Sequence, residues 1–227
     1  MSAQTEFSKY ADHYGSYNII QKQVIAKMLD DLTEQPEHIL DLGCGDGALH
    51  EALSWKPKHF VGVDFAPGML ELHPKGEYVE CVYGDFNDSE LFGHLNTMHF
   101  DRIFSASALQ WSTDLDRVLA NVSLLHTPVS FAIFTANTFE TLFKTADVSP
   151  VLCHADEVIE SVKKYFDAEF EVVKYTLEFE STRDMFRYIK RSGVSGGRRI
   201  LNYKQTKRLM QEYPLNYLEF EVLFIRS

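Results

Sequence analysis

The stretch that decides the fold is His38-Ile39-Leu40-Asp41-Leu42-Gly43-Cys44-Gly45-Asp46-Gly47, an apolar run that ends in three alternating glycines. The apolar run predicts a buried strand, and the glycine turn leads into a helix that we expect near 47–54. Glycines permit positive φ angles and let a bound molecule lie against the backbone. The helix that follows presents backbone N–H groups without helical partners. The segment therefore predicts a ligand site at the carboxyl end of a strand.

Short apolar runs and helical patterns alternate around this segment through the first half of the chain. Further strands are predicted at 60–64, 78–83, 100–104 and 129–135. Helices are predicted over about 16–33, from Pro67 onward and over about 114–126. Such alternation favours an α/β fold, with a mostly parallel sheet and helices on both faces.

The second half of the chain has a different order of elements. Helical patterns near 138–146 and 155–166 precede a strand at 170–179, a basic amphipathic stretch at 182–212 and a last strand at 217–225. We expect the last two strands to pair antiparallel at the sheet edge, with the basic stretch inserted between them. The whole chain, 1–227, is predicted to be one domain, with cap elements at 1–33 and about 180–213.

The charge is distributed unevenly along the 227 residues. The formal net charge is -11, which argues against non-specific nucleic-acid binding, because that needs a basic face. Residues 183–208 nevertheless contain nine basic residues and a single acid, Asp184, for a net charge of +8. The other 201 residues carry -19. A basic segment on an acidic protein predicts a localised binding surface.

Cysteine and histidine spacing indicates neither disulfides nor a metal site. The cysteines Cys44, Cys81 and Cys153 are odd in number and scattered, and the nine histidines lack a metal-ligand spacing. The chain also lacks an apolar segment of about 18 residues that would span a membrane. We expect a cytoplasmic protein with reduced thiols and no bound metal. Asp101 is interpreted as the start of the fourth strand rather than as a ligand.

Two readings of the glycine turn compete. Gly43, Gly45 and Ala48 satisfy the loose G-x-G-x-x-A pattern of dinucleotide-binding proteins. Asp64 closes the next strand, 19 residues after Gly45, where a carboxylate can accept hydrogen bonds from ribose hydroxyls. Asp41 distinguishes the readings, because a carboxylate inside the first strand would repel a pyrophosphate. The same carboxylate suits the ammonium or sulfonium end of S-adenosylmethionine.

The acidic positions that follow each strand complete a pattern. The segment Gly84-Asp85-Phe86 follows the third strand, so Asp85 can accept from an adenine amino group and Phe86 can flank the ring. The alternative is that Asp85 only caps its own loop. The set D-x-G-x-G-x-G, Asp64 and Asp85 resembles the class I S-adenosylmethionine-dependent methyltransferases over residues 38–135.

That resemblance implies a Rossmann-like sheet of seven strands and a set of donor-binding residues. The set is Tyr14, Gln21, Asp41, Gly43, Gly45, Asp64, Phe65, Met69, Asp85, Phe86 and Ser105. Tyr14 and Gln21 would lie at the methionine end, on an N-terminal helix that folds over the donor.

Three further stretches resemble the malonyl-acyl-carrier-protein O-methyltransferases of biotin synthesis. They are F-x3-A-x2-Y-x6-Q from Phe7 to Gln21, the segment Ser105–Trp111, and Phe134-Thr135 followed by 139–143. The chain departs from that family at Ala106, where the family has asparagine, and at 125–128, where a Pro-Gly-Gly turn is replaced. The trans-aconitate methyltransferases share the glycine turn and a similar A-x-Q-W stretch, so they stay the close alternative.

The resemblance also implies roles on the acceptor side. Tyr14, Gln110 and Trp111 would face the reacting groups, whereas Phe139 and Phe143 would line an acyl channel. Simple core packing is the alternative for Trp111 and for both phenylalanines. A malonyl carboxylate is ionised at neutral pH, so methyl transfer to it requires no general base.

The basic segment suits an acidic protein substrate such as malonyl-acyl carrier protein. The candidate residues for the acceptor carboxylate and the carrier are Arg187, Lys190, Arg191, Arg198 and Arg199. A solvated helix face is the alternative for this segment. The expected protein is a monomeric carboxyl O-methyltransferase; a free acid such as trans-aconitate as acceptor, or a non-catalytic donor-binding protein, are the alternatives.

Overall fold

The computed structural model describes residues 18–191 and 201–227, without the side chains of Lys190 and Arg191. The strands are β1 (His38–Leu42), β2 (His59–Asp64), β3 (Val79–Tyr83), β4 (Arg102–Ala106), β5 (Val129–Phe134), β6 (Glu169–Glu178) and β7 (Tyr217–Arg226). The helices are α1 (Ile19–Asp30), α2 (Ala48–Ala52), α3 (Pro67–Leu72), α4 (Ser89–Leu95), α5 (Leu115–Ser123), α6 (Glu140–Ala146), α7 (Ala155–Lys163), α8 (Thr182–Arg191) and α9 (Tyr203–Glu212). A single 3-10 turn, Leu109–Trp111, follows β4.

The strands form one seven-stranded sheet in the order β3-β2-β1-β4-β5-β7-β6. The first five strands run parallel, whereas β7 is antiparallel to both β5 and β6. The predicted antiparallel pair at the sheet edge is therefore confirmed. The strand order reverses between β1 and β4, and open α/β sheets bind ligands beyond the carboxyl ends of strands at such a point.

Alternating residues of the strands supply two separate cores, one on each face of the sheet. Ile39, Phe60 and Phe104 pack on the face that α1, α2, α6, α8 and α9 cover. Leu40, Val61 and Ile103 pack on the other face, against α4, α5 and α7. Near-continuous apolar strands are what a parallel sheet buried on both faces requires. The predicted α/β layers are confirmed.

The predicted elements and the observed ones differ in two places before the middle of the chain. Helix α4 is absent from the sequence prediction; Asp88 caps it by accepting a hydrogen bond from the Glu90 backbone N–H at 3.0 Å. Strand β4 begins at Arg102, two residues after its predicted start, and ends at Ala106. Asp101 lies just before the strand because its carboxylate accepts from the backbone N–H groups of Glu37 and His38.

The basic stretch forms two helices, α8 and α9, which pack against the first core through Met185, Tyr188 and Leu209. Residues 192–200, which include Arg198 and Arg199, lie outside the described residues, as does Tyr14. In the parts of the chain that are described, no helix is both long enough and apolar enough to cross a bilayer.

Candidate functional site

The glycine turn is fastened to the end of β2. Gly43, Gly45 and Gly47 adopt φ angles of 78°, 56° and 89°, in the region that disfavours residues with a side chain. The backbone N–H groups of Gly43 and Cys44 both donate to the carbonyl of Val63, at 2.8 and 3.0 Å. The turn is therefore held by the neighbouring strand and not only by its own conformation.

The glycines at 43 and 45 serve different purposes. A Cβ atom at Gly43 would lie 2.3 Å from the Cβ of Ala108, because the loop after β4 passes directly over this position. A Cβ atom at Gly45 would meet no atom within 4 Å. Gly43 is thus required for the close approach of two loops, whereas Gly45 leaves open space where a ligand can approach the backbone.

Asp64 joins the turn to the start of the next helix. Its Oδ2 accepts from the Gly45 N–H at 2.9 Å, and its Oδ1 accepts from the Ala66 N–H at 2.8 Å. Burial raises the pKa of this carboxyl, and the amide hydrogen bonds oppose that rise. A carboxylate has about four lone-pair sites, and the backbone N–H groups of Gly45, Ala66 and Phe65 use three of them, so Asp64 can still accept from one ligand hydroxyl.

Asp41 is a buried acid beside Asp64. It is 1% exposed, and its Oδ1 has no hydrogen-bond partner within the described part of the chain. Burial, with the nearby charge of Asp64 as the second cause, raises the pKa of Asp41 to about 8. The side chain is therefore mostly neutral at pH 7, and a cationic group placed against it would favour its ionised form.

A pocket opens between the glycine turn, the end of β2 and the loop after β4. Its lining consists of Gly43, Gly45, Asp64, Phe65, Met69, Phe86, Ala106, Ser107, Ala108 and Trp111. Seven of the residues predicted for the site are among them. Ala106, the position where the chain departs from its family pattern, also lines this pocket, so that departure touches the site directly.

Besides Asp41 and Gln21, three predicted residues lie near the pocket without lining it. Asp85 is exposed, and its Oδ1 accepts from the backbone and side-chain amides of Asn87 at 2.8 and 2.7 Å. The hydroxyl of buried Ser105 donates to the carbonyl of Leu42 at 2.7 Å. Gln110 donates from Nε2 to the Ser107 carbonyl at 2.6 Å. These bonds shape the loops around the pocket, and for Asp85 they match the loop-cap alternative.

Ser107 is a lining residue that the sequence reasoning missed. It has a φ of 63°, and its buried Oγ has no partner among the residues described. Backbone strain of this kind costs about 1–3 kcal/mol and clusters at functional sites. The only sequence signal was the run of small residues Ser105-Ala106-Ser107-Ala108, which is too general to identify a strained position.

The residues predicted for the acyl channel lie in the core under this end of the sheet. Phe139 precedes α6 with a φ of 60°, and its ring contacts Phe220 at a centroid distance of 5.1 Å. Phe143 is 8% exposed in the same cluster. Gln21 on α1 is also buried, and its Oε1 lacks a partner in the described residues. Both phenylalanines pack in the core, but Phe143 also lines a depression beside α6, so the acyl-channel assignment stays a prediction. Gln21 has an oxygen available for a ligand.

The predicted basic residues are only partly described. Arg187 on α8 forms an ion pair with Asp184 at 2.6 Å and is half-exposed. For Lys190 and Arg191 the structure describes the helical backbone alone, and Arg198 and Arg199 lie outside the described residues. The assignment of these residues to the acceptor or to a carrier protein stays a prediction.

A second depression lies at the opposite end of the sheet, where the parallel strands begin. Met28, Phe131 and Phe224 contribute to its lining, together with an ion pair between Arg226 and Glu169. Its lining contains none of the predicted site residues. Buried Asp41 and Asp64 and the open space at Gly45 therefore identify the pocket at the carboxyl ends of the parallel strands as the candidate site.

This chain is similar to known methyltransferases. The family model described as "Methyltransferase domain" matches residues 40–134, from β1 to the end of β5. The malonyl-[acyl-carrier protein] O-methyltransferase of Acetivibrio thermocellus is 28% identical, covering 92% of this chain and 84% of that protein. The enzyme of the same name from Anoxybacillus flavithermus is 25% identical, covering 95% and 90%.

A solved structure from Thermotoga maritima, described as an S-adenosylmethionine-dependent methyltransferase, superposes with a TM-score of 0.58. The superposition covers 99% of both chains, with 14% sequence identity. Likeness at that identity concerns the fold, and it matches the seven-stranded sheet described above.

We predict that Asp41→Asn stabilises the protein, and more so at pH 8 than at pH 5. The pKa of Asp41 is higher in the folded state, about 8, than its ordinary value of 3.8. Folding therefore favours the protonated form, and stability declines as the pH rises from about 4 to 8. The amide cannot ionise, so the variant escapes this decline.

Urea unfolding of both proteins across this pH range measures the difference in the free energy of unfolding. A difference that is constant from pH 5 to pH 8 would contradict the assignment of a raised pKa to Asp41. Asp114→Asn, on an exposed helix cap, is the control for a general loss of one negative charge.

Proposed function

We propose that this chain is a class I S-adenosylmethionine-dependent methyltransferase that methylates the free carboxylate of malonyl-acyl carrier protein. The reaction would be an early step of biotin synthesis. Relatives with the corresponding name cover 92% and 95% of the chain, including the basic helices outside the methyltransferase domain model. This similarity, which extends beyond the donor-binding half, is the observation that carries the proposal.

The described residues fit the donor. The unpartnered Oδ1 of Asp41 provides an acceptor for its ammonium group, and the lone pair that remains on Asp64 provides an acceptor for a ribose hydroxyl. The open space at Gly45 admits it against the backbone, and Phe86 offers an apolar side chain at the pocket wall. When bound, S-adenosylmethionine supplies an electrophilic methyl group on a sulfonium.

The chain's contribution to this reaction is positioning and water exclusion. The acceptor carboxylate is already ionised at neutral pH, so methyl transfer to it from the bound donor would require no general base from this chain. Correct orientation of two reactants is worth up to about 7–11 kcal/mol. Met69, Ala106 and Trp111 give the pocket wall an apolar character that would exclude water from the attacking oxygen.

Helix α9 supports the carrier protein as the substrate. Lys204, Lys207 and Arg208 are exposed on it, and only Arg208 has a described acidic partner, Glu212 at 2.8 Å. Tyr203 and Met210 on the same helix are 80% and 49% exposed. Cations beside exposed apolar side chains suit an acidic protein surface, because charge steers the encounter and apolar contact adds affinity.

The donor assignment predicts that Gly45→Ala weakens binding of S-adenosylhomocysteine by at least tenfold, about 1.4 kcal/mol. The new methyl group would occupy the space that the donor needs, and it would add backbone strain at a φ of 56°. Isothermal titration calorimetry measures the affinity. The matched control is Gly93→Ala on α4, where a Cβ atom also meets no atom within 4 Å. Equal affinities of the two variants would refute the assignment.

The substrate assignment is tested by tritiated S-adenosylmethionine with three acceptors in parallel: malonyl-acyl carrier protein, malonyl-coenzyme A and trans-aconitate. We expect base-labile label on malonyl-acyl carrier protein, with a higher kcat/KM than on the coenzyme A thioester. Label on trans-aconitate alone would overturn the proposal in favour of a free acid as substrate.

The docking assignment predicts that Lys204→Glu/Lys207→Glu raises the KM for malonyl-acyl carrier protein at low salt by about tenfold. The donor affinity and the kcat should change little, because these side chains are exposed on α9 and do not line the donor pocket. Lys163→Glu/Lys164→Glu on α7 is the control, because this helix covers the opposite face of the sheet. A similar rise in KM in both variants would indicate a non-specific charge effect.

A further inference from the structure

Two histidines and an aspartate converge at the amino edge of the sheet, at the end opposite the donor pocket. His38 is the first residue of β1, and His99 and Asp101 lie in the segment that leads into β4. His38 Nδ1 lies 3.2 Å from Asp101 Oδ2, and His99 Nε2 lies 3.0 Å from Asp101 Oδ1. All three potential ligand atoms are within 4.8 Å of one another.

The carboxylate at the centre of this cluster is held in a fixed orientation. Asp101 Oδ2 accepts from the backbone N–H groups of Glu37 at 3.0 Å and His38 at 2.8 Å. Such outer hydrogen bonds orient the ligands of protein metal sites and are part of what makes a site bind. His99, by contrast, is largely exposed, with 76% of its side-chain surface accessible. An incoming ion therefore has an open path to a preoriented acid.

The ligand atoms and their spacing match those that zinc and similar divalent transition-metal ions prefer. Imidazole nitrogen and carboxylate oxygen bind zinc at about 2.0–2.2 Å, so two ligands of one tetrahedral ion lie about 3.4 Å apart. His99 Nε2 lies 3.0 Å from Asp101 Oδ1 and His38 Nδ1 lies 3.2 Å from Asp101 Oδ2, so each imidazole is close to this ligand-to-ligand distance from the carboxylate. Three protein ligands leave a fourth tetrahedral position that water could fill.

We propose that His38, His99 and Asp101 form a surface site for a divalent transition-metal ion of the zinc type. The spacing of these residues in the sequence does not match a metal motif, because strand pairing brings them together. Ile39 pairs with Arg102 across β1 and β4, which places His38, the first residue of β1, beside Asp101, the residue just before β4. The ion would link the beginnings of two central strands and would stabilise only the folded state.

The test is a titration of the full, tag-free, chelator-treated chain with ZnCl2, followed by calorimetry. We expect saturable binding of one ion per chain, and His99→Ala should weaken it by more than about tenfold, which even the loss of an outer-shell partner can cost. Cobalt(II) should give visible absorption bands in the wild type that the variant lacks. Zinc should also raise the melting temperature of the wild type and leave that of His99→Ala unchanged.

His59→Gln is the matched control. His59 is the register partner of His38 on the next strand, with similar side-chain exposure, 35% against 31%, but it pairs with Glu80 instead. Cys153→Ser controls for binding at an exposed thiol. Zinc binding that persists in His99→Ala, disappears with Cys153→Ser, or never saturates would overturn the proposal. Each variant's thermal melt without zinc shows whether it is folded.

Discussion

The Asp64 carboxylate is the constraint on which the donor site depends. One of its oxygens accepts from the Gly45 N–H and the other from the Ala66 N–H, so a single side chain fixes the glycine turn against the end of β2 and the start of α3. The Val63 carbonyl adds two further bonds from the same turn. The pocket is therefore rigid at the place where the donor would approach the backbone, which suits catalysis by positioning.

This arrangement has an electrostatic cost that the donor can offset. Asp41 and Asp64 are both buried, and the charge of Asp64 adds to the effect of burial on Asp41. Without a cation, burial and, to a smaller extent, this repulsion keep a proton on Asp41. A positively charged donor beside Asp41 would favour the ionised carboxylate and release that proton. Donor binding and the protonation state of Asp41 are therefore linked.

The methyltransferase fold places the donor but does not by itself select the acceptor. The residues proposed to recognise a carrier protein belong to the second half of the chain, where helices α8 and α9 lie between the antiparallel strands β6 and β7. The exposed cations of α9 do not line the donor pocket. Function on such a fold has to be argued from these added surfaces.

Much of the architecture could be read from the order of apolar runs and glycines. The strands are local patterns in the sequence. General topological rules then predict the parallel pairing of the first half and the antiparallel pair at the sheet edge. Helix α4 was missed because seven residues are too few for a clear periodicity. The start of β4 was placed too early, since the hydrogen bonds of Asp101 to the β1 entry are not visible in the sequence.

The sequence by itself determined the glycine turn, its acids and the uneven charge, because backbone conformation and charge follow from residue type. Tertiary structure alone decided that Asp85 accepts hydrogen bonds from Asn87, that Ser107 lines the pocket with a positive φ, and that Phe139 packs on Phe220. It also brought His38 to His99 and Asp101. These contacts join segments from different strands and loops, and their geometry depends on strand register and packing, which no local pattern encodes.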